Sequence, residues 1–533
     1  MAKDDQTPHS QLVPHHHGRP MRGLSATTAS PLFQGRFGRM FRSLHAAQYG
    51  RTDEESRNLL MTLGSAMTSS FDPPKDGADS EESGIPALYT YFGQFVDHDI
   101  TFDPMTTLMK RSDPDALTDF RTPALDLDNV YGRGPNDEPY LYDNGPKFLL
   151  GDLLDNGAPD LPRNNASVRR ALIGDPRNDE NSIVSQFQCL MLRFHNRIVS
   201  DNSGLDFAAY QQIVRFHYQW IVIHDFLPRI ISSSVLNKLK NKNDEYERAR
   251  LEFFHWKHDP FMPVEFSVAA YRLGHSMIRP GYRLNDDDTT LLPIFPIPPG
   301  AIGDIPAGIS DGLTGFQAMK PNRGIDWVRF IDTDVRSYGT DSPSDIATKK
   351  RLQFAYRLDT SLVTPLSVLP PAVVSDAPAS LPQRNLIRGL ELRLPSGQDV
   401  ARAMRVHVLD DAQIMLGKAV DTPDNSGPDP DVRGSIADIR GLAAFKGKCP
   451  LWTYILAEAF NTRTNIEVPV TEKKSISTPQ LGEVGGRIVA EVFLGILFGD
   501  KQSYLNLDPE WKPTITNDGT FLLRDLVGYA LGR

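Results

Sequence analysis

The run 89–104, YTYFGQFVDHDITFDP, places an amide, a carboxylate and an imidazole at Gln94, Asp97 and His98. On a helix these positions are i, i+3 and i+4 and share one face. Leu88, Phe92, Phe95 and Val96 supply an apolar face for the core. A polar trio on a largely buried helix is costly unless it meets a partner or a ligand. An imidazole can take a proton and give it back near neutral pH, so the chemistry on offer is general acid–base work. A hydrogen-bonded core histidine satisfies the same pattern, and these residues alone leave both readings open.

The elements that must hold this face come from periodicity. Apolar spacing predicts helices over 87–101, 181–199, 207–231, 264–278, 361–371, 400–416, 451–460 and 484–499. Asn178 or Asp179 is placed to cap the second of these, and Pro280 with Gly281 ends the fourth. Residues 71–84 and 103–160 read as loops, rich in Asp, Gly, Asn and Pro. No period-2 run is long enough for a substantial sheet. The expectation is a mainly α fold, one large helical domain over 32–533 with little β-structure, preceded by a flexible polar arm over 1–31.

The 533-residue length is ample for a large core, and 40 glycines with 41 prolines imply much irregular chain between elements. A formal charge of −10 offers no basic surface for nucleic acid or an anionic membrane. No apolar stretch is long enough to predict a membrane-spanning helix. The two cysteines, Cys189 and Cys449, form neither a metal-ligand pair nor a disulfide framework. His15, His16 and His17 in the polar arm read as a surface cluster.

The segment Gly93-Gln94-Phe95-Val96-Asp97-His98-Asp99 closely resembles the distal-histidine signature of the animal-type haem peroxidases, the peroxidase–cyclooxygenase superfamily. Four more segments resemble that family's, in its order: RTPALDLDNVYG (121–132), GDPRNDEN (174–181), AAYRLGHSMIRP (269–280) and RNLIRG (384–389). The resemblance spans about residues 85–500, and VGGRIVAEVFLG near the C-terminus looks like the bacterial branch.

What the resemblance implies is specific. A haem b would sit in the core of the helical domain, with His98 as distal base, Arg177 as the cation at the oxygen–oxygen bond, and Gln94 bonded to water or halide. His275 would ligate the iron, with Asn385 behind its other ring nitrogen. Arg272 and Arg388 would lie near the propionates, an ordinary salt bridge being the alternative for each. Asp97 and Glu180 match the two carboxylates that form haem esters in mammalian members. Asn181 stands where one such member carries a sulfonium-forming methionine; that link cannot form here, which puts chloride oxidation in doubt. Asp99, Thr122, Ala124, Asp126 and Asp128 match a calcium loop, and three carboxylates suit Ca²⁺; without the resemblance, Asx-turns account for such a loop.

The expected activity is reduction of hydrogen peroxide at the expense of organic one-electron donors, with iodide, bromide or thiocyanate as further reductants. A fatty-acid dioxygenase is the alternative. Arg272 occupies the position three before the proximal histidine where those enzymes place a tyrosine, and Tyr271 would need a helix irregularity to serve. His255 and His258 in FHWKH are read as surface histidines. With no apolar leader in the arm, a bacterial cytoplasm is expected, leaderless export being the other route.

Overall fold

The computed structural model describes residues 37–70, 79–101, 123–296, 312–340, 349–420 and 432–533. The expected arm over 1–31, its histidine cluster and Thr122 lie outside them. The fold is mainly helical, and strand among the described residues is confined to short two-stranded pairings such as Arg463–Glu467 with Ser475–Pro479. The principal helices are α1 (Asp53–Ala66), α2 (Leu88–Ile100), α3 (Ser182–Asp201), α4 (Phe207–Ile221), α5 (Leu381–Glu391), α6 (Gly397–Met404), α7 (Leu451–Asn461), α8 (Glu483–Gly499) and α9 (Leu523–Leu531). Among the described residues, no helix is long and apolar enough to cross a membrane.

Aromatic packing orients α2. Phe92 and Phe95 meet Phe187 of α3 and Tyr218 of α4 edge to face, with ring centroids 5.1 to 6.1 Å apart. Each such pair contributes about 0.5–1.5 kcal/mol beyond its buried area. The opposite face, with Tyr91, Gln94, Asp97, His98 and Thr101, is thereby turned into a cavity. At Gly93 a Cβ would come within 3.1 Å of the Phe226 ring, so α2 lies as close to this neighbour as a bare backbone allows.

Phe226 ends a π-helical segment, Val222–Phe226, that continues α4 into the turn Leu227–Ile230. The expected helix over 207–231 is thus one rod with an inserted π-bulge, a device common at functional sites. α8 packs against α7, where Glu458 accepts from the first backbone N–H groups of α8, those of Val484 and Gly485. Both helices pack against the segment that carries His275.

Three expected helices are corrected. The 264–278 segment is a four-residue turn, Val264–Ser267, followed by a 3₁₀ helix, Ala270–His275. Side-chain partners replace helical bonds: Trp452 Nε1 of α7 donates to the Arg272 carbonyl at 3.3 Å, and the segment's own Arg272 Nε to that of Ser267 at 2.9 Å. Ser276 Oγ caps the Arg357 and Asp359 carbonyls. The 361–371 segment holds only the 3₁₀ turn Thr364–Ser367. The 400–416 segment stops at Met404, because Arg405 takes a left-handed conformation (φ 57°) and closes α6. Finally, α3 is capped by Asn181, whose Oδ1 accepts from Ile183 N and Val184 N, and not by Asn178 or Asp179.

Candidate active site

One cavity of about 450 Å³ is lined by Gln94, Asp97, His98, Arg177, Glu180, Arg272, His275, Asn385 and Arg388. These nine positions come from α2, from the turn before α3, from the 3₁₀ segment and from α5. Leu366, Leu369, Val373 and Leu381 add an apolar wall.

On the α2 side, His98 is buried and its Nδ1 lies 2.6 Å from Asn178 Oδ1. Burial, reinforced by Arg177, pulls the imidazole down to about 4, against the pull of Asp175, Asp97 and the Asn178 contact. The ring is therefore neutral at pH 7, as a proton acceptor must be. Arg177 is held by Asp175 through Nε at 3.1 Å and Nη2 at 2.8 Å. The same Nη2 donates to the carbonyls of His98 and Thr101 at the end of α2, at 3.0 and 2.5 Å. A cation suits that helix end, and the clamp fixes the guanidinium beside His98.

Gln94 is held at both ends of its amide. Its Nε2 donates to Glu180 Oε1 at 2.5 Å, and its Oε1 accepts from Asn181 Nδ2 at 3.4 Å. Asn181 has no choice of direction, because its oxygen already takes the two N–H groups that cap α3. Burial pushes the Glu180 carboxyl up to about 7, against the Gln94 bond and Arg177. Asp97 accepts from Thr101 Oγ1 at 3.3 Å.

Across the cavity, the 3₁₀ geometry has three residues per turn, so Arg272 and His275 stand on one side of the segment. Burial first, then Arg272, brings His275 down to about 3, again a neutral imidazole. Its Nδ1 lies 2.8 Å from the Asn385 amide, and the structure turns Nδ2 toward it. Metal ligation through Nε2 requires a proton on Nδ1 and hence the amide oxygen at that place, which a half-turn of the Asn385 amide supplies. Asn385 and Arg388 are one turn apart on α5 and share its cavity face.

These residues fit a haem. Neutral imidazoles from two separate elements face one cavity, arginines reach it from two others, and one wall is apolar. The cavity is also open beside His275: a Cβ built at Gly274 would meet nothing within 4 Å.

Beyond the cavity, Asp99, Asp126 and Asp128 converge, with one oxygen of each within 4.8 Å of the others and all three side chains buried. The loop is not extended. Leu127 adopts a left-handed conformation (φ 60°), which costs a non-glycine residue about 1–2 kcal/mol. That bend aims Asp126 and Asp128 together at Asp99. Ala124 is buried just before it. Three carboxylates gathered out of water repel one another, and a hard divalent cation is the chemistry that suits such a donor set.

The sequence did not single out Asp175 or Gln188, and it offered Asn178 only as a helix cap. For Gln188 the available signal was its place among the apolar residues of the helix Ser182–Asp201, where a polar side chain must have a partner. His255 and His258 are exposed. Tyr271 lies on the cavity wall and its hydroxyl donates to the Gly93 carbonyl at 3.2 Å. The 3₁₀ segment is the irregularity that brings it there.

Residues 109–295 match the family model described as animal haem peroxidase. The dual oxidase of Drosophila melanogaster is 28% identical over 142 residues, covering 25% of this chain and 8% of that protein. The thyroid peroxidase of Canis lupus familiaris is 25% identical over 253 residues, covering 42% and 24%. Human myeloperoxidase is 26% identical over 146 residues, covering 26% and 18%. The chain thus spans no more than about a quarter of the length of these relatives.

Among solved structures, peroxidase A from Dictyostelium discoideum is similar with a TM-score of 0.51 and 14% identity, over 88% of this chain and 90% of that one. The fatty acid alpha-dioxygenase of Arabidopsis thaliana is similar with a TM-score of 0.50 and 13% identity, over 96% and 82%. At these identities the likeness is one of fold. The chain is thus similar to the animal haem peroxidases in sequence over residues 109–295, and to these solved structures in fold.

Proposed function

We propose that this chain is a haem-dependent peroxidase that reduces hydrogen peroxide and oxidises organic one-electron donors, with iodide, bromide or thiocyanate as further reductants. One observation carries the reading: a neutral His98 and a clamped Arg177 face the same cavity as a neutral His275. When bound, haem supplies the redox chemistry by which H₂O₂ and two electrons, with two protons, become two waters.

The chain's own residues do the rest. His98 Nε2 takes the proton from the near peroxide oxygen and returns it to the departing one. Arg177 offsets the negative charge that grows on that oxygen, and its bonds to Asp175 spare it reorganisation at that moment. His275 would hold the iron, oriented by Asn385. Gln94 keeps one amide hydrogen for water or a halide, its other groups being engaged by Glu180 and Asn181. Asp97 and Glu180 line the cavity, and we propose ester bonds from both to haem. Asn181 has no sulfur for a third link and serves Gln94 instead.

The test is direct. Purified protein supplemented with haem should show a Soret band that changes on adding peroxide, and should then oxidise a phenol. No Soret band after supplementation would end the reading. Acid extraction that strips all haem would rule out the esters. A fatty-acid dioxygenase is the second reading, favoured by the place of Tyr271 on the wall. Oxygen uptake with linoleate, and no phenol oxidation, would select it.

For the Asp99, Asp126 and Asp128 cluster we propose Ca²⁺, with the Ala124 carbonyl and Thr122 as further ligands. Binding to the folded state alone raises stability by about 2.7 kcal/mol at a hundredfold excess over Kd. EGTA is therefore expected to lower Tm by several degrees and added Ca²⁺ to restore it. Asp126→Asn should blunt this response. A Tm indifferent to both reagents would remove calcium from the proposal.

A further inference from the structure

A row of side-chain amides runs from the backbone into the ring of His98. The Asn129 carbonyl accepts from Gln188 Nε2 at 3.4 Å. Gln188 Oε1 accepts from Asn178 Nδ2 at 2.8 Å, and Asn178 Oδ1 lies 2.6 Å from His98 Nδ1. Asn129, Gln188 and Asn178 are each 0% exposed, so water does not compete for these groups.

The first link decides the others. A backbone carbonyl can only accept, so Gln188 must turn its nitrogen toward Asn129. That leaves its oxygen for Asn178, whose nitrogen must point there. The Asn178 oxygen is then what His98 Nδ1 meets, and an oxygen acceptor calls for a proton on that nitrogen. Burial alone would not choose between the two forms of a neutral imidazole. The fixed end is itself anchored, because Asn129 Nδ2 donates to the Phe95 carbonyl of α2 at 3.2 Å.

We propose that Asn178, oriented by Gln188, is a positioning residue that locks His98 in the Nδ1–H form, so that Nε2 presents a lone pair to the cavity. The use of that lone pair rests on the peroxidase reading; the place of the proton does not. Without the lock, a share of the molecules would offer peroxide an N–H, which can neither accept a proton nor leave room for one.

Neutron diffraction on crystals of the full chain as purified, exchanged into D₂O, reads the proton directly. A deuteron on Nδ1 of His98 and none on Nε2 is the expected density, and a deuteron on Nε2 overturns the proposal. In the haem-loaded enzyme, Asn178→Leu is expected to lower kcat/KM for peroxide by about 10²-fold, the lower end of what a positioned base contributes, with KM for the phenol unchanged. Asn178→Asp, which keeps the acceptor toward His98 but loses the donor to Gln188, should recover part of that loss. An unchanged kcat/KM in Asn178→Leu, or no recovery in Asn178→Asp, counts against the lock. The two readings fail separately: no Soret band, or no peroxide-driven phenol oxidation by the haem-loaded wild type, sinks the peroxidase assignment, whereas a proton on the wrong nitrogen sinks only this one.

Discussion

His98→Ala is expected to keep haem bound while losing peroxide-driven phenol oxidation by about 10²–10⁴-fold, the range a positioned acid–base group supplies. The loss should fall on the peroxide step, because His98 takes the proton of the incoming peroxide and delivers it to the departing oxygen. Arg177 remains in place in this variant: its bonds go to Asp175 and to backbone carbonyls, none of which depends on the imidazole. Charge stabilisation therefore persists and sets the residual rate. The substitution leaves Asn178 Oδ1 buried without its ring partner, at a cost of about 1–3 kcal/mol. Assays belong well below the lowered Tm. The measurement is kcat/KM for peroxide at fixed donor, alongside haem content from the Soret band. Wild-type kcat/KM with full haem content would show that the base lies elsewhere.

His275→Ala is expected to abolish stable haem binding. A ligand whose ring is buried, neutral and backed by Asn385 contributes more to haem retention than any single apolar contact of the wall. The remaining wall, Leu366, Leu369, Val373 and Leu381, and the arginines at positions 272 and 388 should still give weak, reversible haem uptake. Exogenous imidazole should restore part of the Soret band, since it can occupy the space the side chain leaves. Asn385→Leu should fall between the two, with haem bound and the iron spectrum shifted. A wild-type spectrum from His275→Ala would falsify the assignment of this residue as iron ligand.

Helices with a continuous apolar stripe were legible in the sequence. α2, α3, α7 and α8 lie within a few residues of their expected ends because one face of each carries Leu, Ile, Val and Phe at helical spacing. Residues 264–278 have the same spacing and are not one helix. Trp452 and the segment's own Arg272 side chain take its carbonyls, Ser276 Oγ donates outward to the Arg357 carbonyl, and apolar spacing does not announce these partners. α1 and α9 were not expected, and neither was α5, whose buried face includes Asn385 and Glu391 among few apolar residues. The nine cavity positions were named from motifs, and the structure gathers them at one place. Asp175 and Gln188 escaped, and Asn178 was expected only as a helix cap, because a lone amide or carboxylate in a sequence does not say which distant group it will meet. Asn181 was read for what it lacks; its cap and its bond to Gln94 are visible only in three dimensions.

The turn before α3 has a consequence for how this wall can change. Five successive side chains there serve five different partners: Arg177 meets the end of α2, Asn178 meets His98, Asp179 meets Arg163, Glu180 meets Gln94 and Asn181 caps α3. The backbone is pinned as well, since Gly315 and Phe316 donate to the carbonyls of Glu180 and Asp179. Inserting or deleting one residue would dislocate all five partnerships in a single step. The stretch 165–170, a few positions upstream, is exposed, and its side-chain ties, Arg169 to Asp152 and Arg170 to the Phe316 carbonyl, lie at the surface. New specificity can therefore reach this side of the cavity by substitution, one side chain at a time, while changes of length are confined to the loops around it.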